Sequence, residues 1–435
     1  MKSEFKFKRR ASVKALGCRL NQYETLAMEG KLRDYGYRIV PFGQEAELGV
    51  INTCTVTNEA DAKSRNAIRK FTTKNPESIT VVVGCYSQIS ADQIAMMDGV
   101  DYVIGNQDKL NFLDYLSDEK PRFPVIVKDR IGREDFRLGF ATETNFEQRA
   151  NLKIQDGCDF MCSFCVIPFA RGRARSREWS DLFEEAKMMI KKGVRELILT
   201  GVNIGTYNSE STSFLDLLNK LSSLKGLDRL RISSIEPTTI PEEIFDWMED
   251  PDHPLMPFLH VPLQSGCNEV LKKMRRKYRI EELKEFFERA RCSIQDLCIG
   301  TDIMVGFPGE TINSFQRTCQ VFKDIRFAYC HVFTYSERAN TPAAKRSDHV
   351  PMKERRNRSF LLRQLSSLQK KAFYGEQIGR NFRVLLENPK NGFYQGYTEH
   401  YVKVVIPEKP LGLANKLVNV RLKNVMPEHV EGELI

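Results

Sequence analysis

The chain has 435 residues, 41% of them hydrophobic and 28% charged, with a formal net charge of +9. Those values exclude a disordered chain, and at roughly 100–200 residues per domain they predict two to four domains with real cores. No apolar run approaches the roughly 20 residues of a membrane helix, and no apolar signal segment follows the basic start MKSEFKFKRRASVKAL, so a cytoplasmic protein without a membrane partner is expected.

Residues 11 to 127 alternate short apolar runs with charged stretches of helical length. The runs are SVKAL (12–16), GVINT (49–53), TVVVG (80–84) and DYVIG (101–105). This alternation predicts an open parallel α/β domain over 1–127. Cys18, Cys54 and Cys85 lie in ALGCRLNQYET, INTCTVTNEA and VVGCYSQ, each just past a predicted strand and just before a helix. Strand ends of an open parallel sheet line one edge, so three loops could bring three thiolates together with helix N-termini behind them. Buried, unlinked thiols are the other reading of the same spacing. Residues 128–149 are polar without periodicity and read as a linker.

From 150 to 370 the strand–helix pattern repeats. Its strands are LKIQD (152–156), ELILTGV (196–202), RLRISS (229–234), FLHVPLQ (258–264), CIGTDIMVG (298–306) and CHVFTYS (330–336). Such repetition predicts a partial or complete β/α barrel, which carries its chemistry at the C-terminal ends of its strands. Cys158, Cys162 and Cys165 follow the first of these strands at the spacing C-x3-C-x2-C. The chain has eleven cysteines and only six histidines, which in a cytosolic setting favours thiolate-held metal over disulfides. Three thiolates on one loop can hold three irons of a cubane cluster and leave the fourth open; a zinc site completed by a distant residue is the alternative. FARGRARSR (169–177) sets Arg171, Arg173, Arg175 and Arg177 at alternate positions, on one side of an extended segment, where they could meet phosphates or form a solvated face. KKMRRKYR (272–279) reads equally as charged surface or RNA contact. The remaining cysteines, with Cys267 the least settled, read as core thiols.

Residues 371 to 435 carry short alternating runs separated by Gly, Asn and Pro, and predict a small all-β barrel. Lys403, Arg421 and Lys423, interleaved with Phe393, Tyr394 and Tyr397, suit unstacked RNA bases, although tyrosines in a small barrel serve equally as its core. This module is expected to add affinity for RNA rather than chemistry. The positive balance of the chain favours such a polyanion.

The cysteine loop, IQDGCDFMCSFCVIPFARGRARSR with Phe164 before its last cysteine, resembles that of the radical S-adenosylmethionine (SAM) enzymes. With NTCTVTNEADAKSR and HVPLQSGCNEVLKKMRRKY, it extends the resemblance over nearly the whole chain to the methylthiotransferases. Within that family these segments most resemble the branch acting on N6-threonylcarbamoyladenosine beside the anticodon of tRNA. The resemblance implies two 4Fe–4S clusters, one on Cys158, Cys162 and Cys165 and the other on Cys18, Cys54 and Cys85. It implies SAM on the open iron of the first, with Phe164, Thr200, Asn203, Glu236 and Asp302 as candidate contacts. It further implies a TRAM-like C-terminal module, a tRNA partner with Arg171, Arg173, Arg175 and Arg177 as candidate contacts, a low-potential electron donor and a sulfur source. In the mechanism it implies, one SAM methylates a sulfur on the second cluster. Another yields a 5′-deoxyadenosyl radical that takes hydrogen from carbon 2 of the adenine. A methylthiotransferase acting on isopentenyl-adenosine or on a ribosomal protein is the nearest rival, and a non-enzymatic metal-cluster RNA-binding regulator is the rival of another class.

Overall fold

The computed structural model describes residues 9–138, 147–407 and 412–435. The apolar runs of the first segment form a parallel sheet whose neighbouring strands are Arg38–Ile39, Arg10–Ala15, Leu48–Thr53, Ile79–Gly84, Tyr102–Ile104 and Val125–Val127, in that order. The helices Arg19–Asp34, Asn58–Lys74 and Cys85–Ala95 each start within a few residues of a strand end. Thr57 fixes the start of the second by accepting the Ala60 N–H at 3.1 Å, with Glu59 and Asp61 in the first turn to meet the helix dipole. The third begins directly at Gly84, whose φ of +101° suits glycine; a Cβ there would lie 2.6 Å from Asn52 Oδ1. The two edge strands at 38–39 and 125–127 escape sequence reading because two or three residues carry no alternation.

The second segment folds into two parallel three-stranded sheets. One holds Arg149–Lys153, Glu196–Thr200 and Arg229–Ile232; the other holds Phe258–His260, Cys298–Val305 and Tyr329–Thr334. Single parallel bridges, Leu230 to Leu255 and Ser234 to His260, join them into one arc. The barrel is therefore partial, and the strands Arg149–Lys153 and Tyr329–Thr334 form its two edges. The run at 258–264 keeps only three residues as a strand; Pro262 has no N–H to continue the ladder. Of the segment read as a linker, residues 139–146 lie outside the described residues. The preceding stretch is strapped to the barrel: Phe136 N–H bonds Ser176 O, and Leu138 N–H bonds Asp181. No helix among the described residues is long and apolar enough to cross a membrane.

After the helix Met352–Gly375, strands Asn381–Leu386, Tyr394–Tyr397, Lys403–Ile406, Leu417–Val425 and Val430–Leu434 close into a small barrel. It also packs into the larger barrel. Its turn at Tyr397–Tyr401 enters the lower end of the larger barrel, where Tyr397 and Tyr401 stack with ring centroids 4.8 Å apart and Arg149 lies over Tyr397 at 4.3 Å. Tyr394 is also buried, so two of the aromatics proposed for bases are packing groups.

A buried charge cluster closes this seam. Glu196 pairs with Arg149 at 3.1 Å and Arg231 at 2.8 Å, and Arg229 lies 3.9 Å away. Arg229 donates to the carbonyls of Tyr397 and Arg383, and Arg231 to that of Glu399. The small barrel thus supplies acceptors for cations buried in the large one. Burial pushes the Glu196 carboxyl up, but Arg149, Arg231 and Arg229 together hold it well below the usual carboxylate range. A lowered folded-state pKa stabilises above the unfolded value of about 4.3, and the gain fades as pH falls below it. Glu196→Gln is expected to cost about 3–5 kcal/mol near neutral pH and progressively less below about pH 4. Urea unfolding of both chains across that range checks this; a deficit independent of pH would contradict it.

Candidate metal centres

Cys18, Cys54 and Cys85 follow three adjacent strands, so the sheet order alone sets their loops side by side. The approach is close: a Cβ on Gly17, whose φ is +92°, would fall 2.7 Å from Cys54 Sγ. Asn21 ties the loops by donating to Leu16 O at 2.7 Å and Thr53 O at 2.9 Å. Asn106 donates to Cys85 Sγ at 3.4 Å. Burial pushes the Cys54 thiol up to about 11, and the nearby Cys85 and Cys18 add to the rise.

Behind them lies a buried ionic hub. Glu24, on the helix that follows Cys18, pairs with Lys109 at 2.5 Å, Lys153 at 2.7 Å and Arg171 at 3.1 Å. Asp156 pairs with Lys153 at 2.7 Å and Arg171 at 2.9 Å. Arg171 also donates to Asn21 Oδ1 at 2.7 Å. Three cations face two carboxylates, which leaves one positive charge in excess away from water. Burial and Arg171 push the Lys109 amine down to about 8, as expected where positive charge outweighs negative. Arg171 feels the charges of Cys85 and Cys18. An anionic group held by thiolates at this triad would balance the excess, so the donor set and the charge both fit an iron–sulfur cluster.

The second triad sits on the loop after the barrel's first strand. Each sulfur receives one N–H: Cys158 from Phe160 at 3.3 Å, Cys165 from Ile167 at 3.4 Å and Cys162 from the Arg276 guanidinium at 3.4 Å. Such bonds tune cluster thiolates. Burial pushes the Cys158 thiol up to about 11 and the Cys165 thiol up to about 12. Among the described residues no three His, Cys, Asp or Glu side chains form a site for a single metal ion. A multi-iron cluster takes each thiolate at a different iron, so its ligands need not converge on one point.

Arg276 is the site residue that sequence reasoning missed. It belongs to the run KKMRRKYR, yet its side chain is buried, bonds Glu236 as well as Cys162, and lies over the Tyr278 ring. Only the left-handed Arg275, φ +61°, which ends the helix Asn268–Met274, turns it inward. Nothing local in the sequence separates it from its surface neighbours.

The proposed SAM contacts scatter along the upper lumen. Glu236 reaches the triad through Arg276, and burial raises its carboxyl. Phe164 packs edge-on against Phe307 at 6.3 Å. Thr200 is buried at its strand end, and Asn203 is buried with its Nδ2 lacking a partner, an orphan donor that suits a small polar ligand. Asp302 bonds His260 Nε2 at 3.0 Å and lies within electrostatic range of Glu236.

The four arginines of FARGRARSR do not share one side. Arg171 ends a short helix, Ile167–Arg171, and is spent on the hub. Arg177 is buried against Asp181 at 2.6 Å and Glu185 at 2.5 Å. Contact of these two with phosphates is thereby corrected: both guanidiniums are buried in ion pairs, away from solvent. Arg173 is half exposed beside Asp159, and Arg175 lies over Phe136. Cys267 donates to Glu269 at 2.7 Å, apart from either triad.

Residues 10–105 match the uncharacterized protein family UPF0004, and residues 152–322 match the radical SAM superfamily. The chain is 36% identical over 434 residues to the threonylcarbamoyladenosine tRNA methylthiotransferase MtaB of Bacillus subtilis, covering 97% of this chain and 95% of that protein. It is 32% identical over 432 residues to the tRNA-2-methylthio-N(6)-dimethylallyladenosine synthase of a Wolbachia species from Brugia malayi, covering 94% of this chain and 96% of that protein. Among solved structures, the radical SAM methyltransferase TsrM of Kitasatospora setae shares the fold, with a TM-score of 0.56 at 15% identity over 78% of this chain and 77% of that one. With likeness of this extent to curated relatives and both family matches in place, the chain belongs to the radical SAM methylthiotransferase family.

Proposed function

We propose that the chain adds a methylthio group to carbon 2 of N6-threonylcarbamoyladenosine in tRNA, using SAM and two 4Fe–4S clusters. The observation that carries this reading is the pair of cysteine triads on strand-end loops, tied by one buried ionic hub that joins Glu24 of the helix after Cys18 to Asp156 and Arg171, which flank Cys158 and Cys165 in the chain. When bound, SAM and the clusters supply the one-electron and sulfur chemistry. Cys158, Cys162 and Cys165 hold the SAM-binding cluster, each sulfur under one N–H. Phe164, Thr200, Asn203, Glu236 and Asp302 form the SAM surroundings, with Arg276 positioning Glu236 against the triad. Cys18, Cys54 and Cys85 hold the second cluster, backed by the cationic excess around Arg171.

Division of labour follows the chain. Residues 1–127 hold the second cluster, 150–370 bind SAM, 371–435 both seal the barrel and meet tRNA, and 128–149 connect the first two. Arg173 and Arg175 remain the tRNA contacts of their segment. A low-potential electron donor and a sulfur source complete the reaction, which takes place in the cytoplasm where tRNA is modified.

The triads are expected to fail differently. Replacing Cys158, Cys162 and Cys165 by Ala abolishes 5′-deoxyadenosine formation from SAM. Replacing Cys18, Cys54 and Cys85 leaves SAM cleavage while stopping sulfur insertion. Chromatographic assay of 5′-deoxyadenosine and of methylthiolated nucleoside reads both, and sulfur insertion at the wild-type rate by the second variant would defeat the scheme.

Substrate choice is expected to follow polarity. A threonylcarbamoyl group carries a carboxylate, a hydroxyl and a urea, and a site built for them rejects an adenosine that leaves its polar groups unpaired. Mass spectrometry of nucleosides after reaction is expected to show conversion of tRNA bearing threonylcarbamoyladenosine and little of tRNA bearing isopentenyl-adenosine. The reverse preference would move the chain to the dimethylallyl branch.

A further inference from the structure

Arg19 directly follows Cys18 and opens the helix Arg19–Asp34. A cation at a helix N-terminus meets the positive end of the dipole, and no acidic residue lies in that first turn. The buried guanidiniums of Arg171, Arg177, Arg276 and Arg338 are paired with carboxylates. Arg19 is not: among the described residues its hydrogen bond is to the Tyr401 hydroxyl, at 3.1 Å.

Among the described residues no carboxylate pairs with Arg19, and its surroundings are polar. Tyr329 and His331, on the edge strand of the partial barrel, feel its charge. His260 bonds the Tyr329 hydroxyl at 3.1 Å and stacks on His331 at 5.3 Å; the nearby carboxylate, Asp302, is taken by His260. His331 is exposed, and Phe333, two residues further on the same strand and so on the same face, is 41% exposed. The register sets Phe333 opposite Met304, which packs against the same buried cluster as Phe164 of the cysteine loop. An exposed ring suited to a base and two hydrogen-bonding groups therefore follow one another along the edge strand of the barrel, and Arg19, next to Cys18 in the chain, has no carboxylate partner among the described residues.

We propose that Arg19 is the specificity residue of this site: its guanidinium binds the terminal carboxylate of the threonylcarbamoyl group, while Tyr329 and His331 face the urea and hydroxyl. A guanidinium pairs with a carboxylate through two parallel hydrogen bonds, which an ester or an alkyl group cannot accept with charge. The inference rests on the substrate proposed above and assigns a role that the arginines of FARGRARSR do not fill: Arg171 and Arg177 are spent on buried ion pairs, Arg173 pairs with Asp159 and Arg175 lies over Phe136.

The test uses the full chain with its clusters reconstituted and tRNA carrying threonylcarbamoyladenosine either as the free acid or as its methyl ester. For the wild-type chain, esterification is expected to lower kcat/KM for methylthiolation by about 100-fold, the scale of a lost charge-assisted pair. Arg19→Gln is expected to lose about the same on the free acid and nothing further on the ester, with Arg19→Lys between. The ester arm needs no variant, so it stands even if a substitution disturbs the neighbouring cysteine loop. Equal turnover of acid and ester by the wild-type chain, or unchanged kcat/KM for Arg19→Gln on the acid, overturns the role of Arg19. Conversion of isopentenyl-adenosine tRNA and of neither threonylcarbamoyl substrate overturns the substrate reading itself.

Discussion

Glu24 is the point on which the two halves of the catalytic region depend. It is wholly buried and meets Lys109 from the N-terminal segment, Lys153 from the first barrel strand and Arg171 from the loop behind the second triad. Taking such groups out of water is costly, and a buried charge stripped of its partner costs about 3–5 kcal/mol. The sheet and the barrel therefore cannot slide past each other without stranding several charges at once. That rigidity matters more than any net gain in stability, because it fixes the separation of the two triads. Arg171 links the hub to both: it lies six residues past Cys165, and its charge is felt by Cys85 and Cys18.

The same logic recurs at the lower end of the barrel. An open arc of parallel strands leaves its lumen exposed, and here the turn at Tyr397–Tyr401 fills it. Of the three arginines that line the bottom, Arg229 and Arg231 find acceptors in backbone carbonyls of the small barrel, and Arg149 pairs with its Glu387. Tyr401 then touches Arg19. The C-terminal module, the barrel and the loop of Cys18 thus meet at one tyrosine. The small barrel cannot be regarded as a detachable RNA grip.

Much of this was legible from residues alone. The strand–helix alternation, the six barrel strands and the placement of both triads follow from period and from strand-end position, because those signals are local and repeated. What stayed hidden depends on contacts far apart in the chain. Glu24 is one acid in a charged helix, Arg276 one cation in a basic run, and neither pattern marks it as buried. FARGRARSR misleads for the same reason: alternate spacing implies one face only if the segment is extended, and here a short helix and two buried ion pairs intervene. The strand Val430–Leu434 lies in VEGEL, where glycine and two glutamates argue against a strand. Gly432 is there because a Cβ would lie 2.3 Å from Val420.

The central claim is that two separate cysteine triads each hold an iron–sulfur cluster. Iron and acid-labile sulfide, measured on anaerobically reconstituted protein, test it most directly. The account predicts about eight irons and about eight sulfides per chain, falling to about four of each when either triad is replaced by alanine. Zinc in place of iron, or about four irons that vanish with one triad and are indifferent to the other, would contradict it.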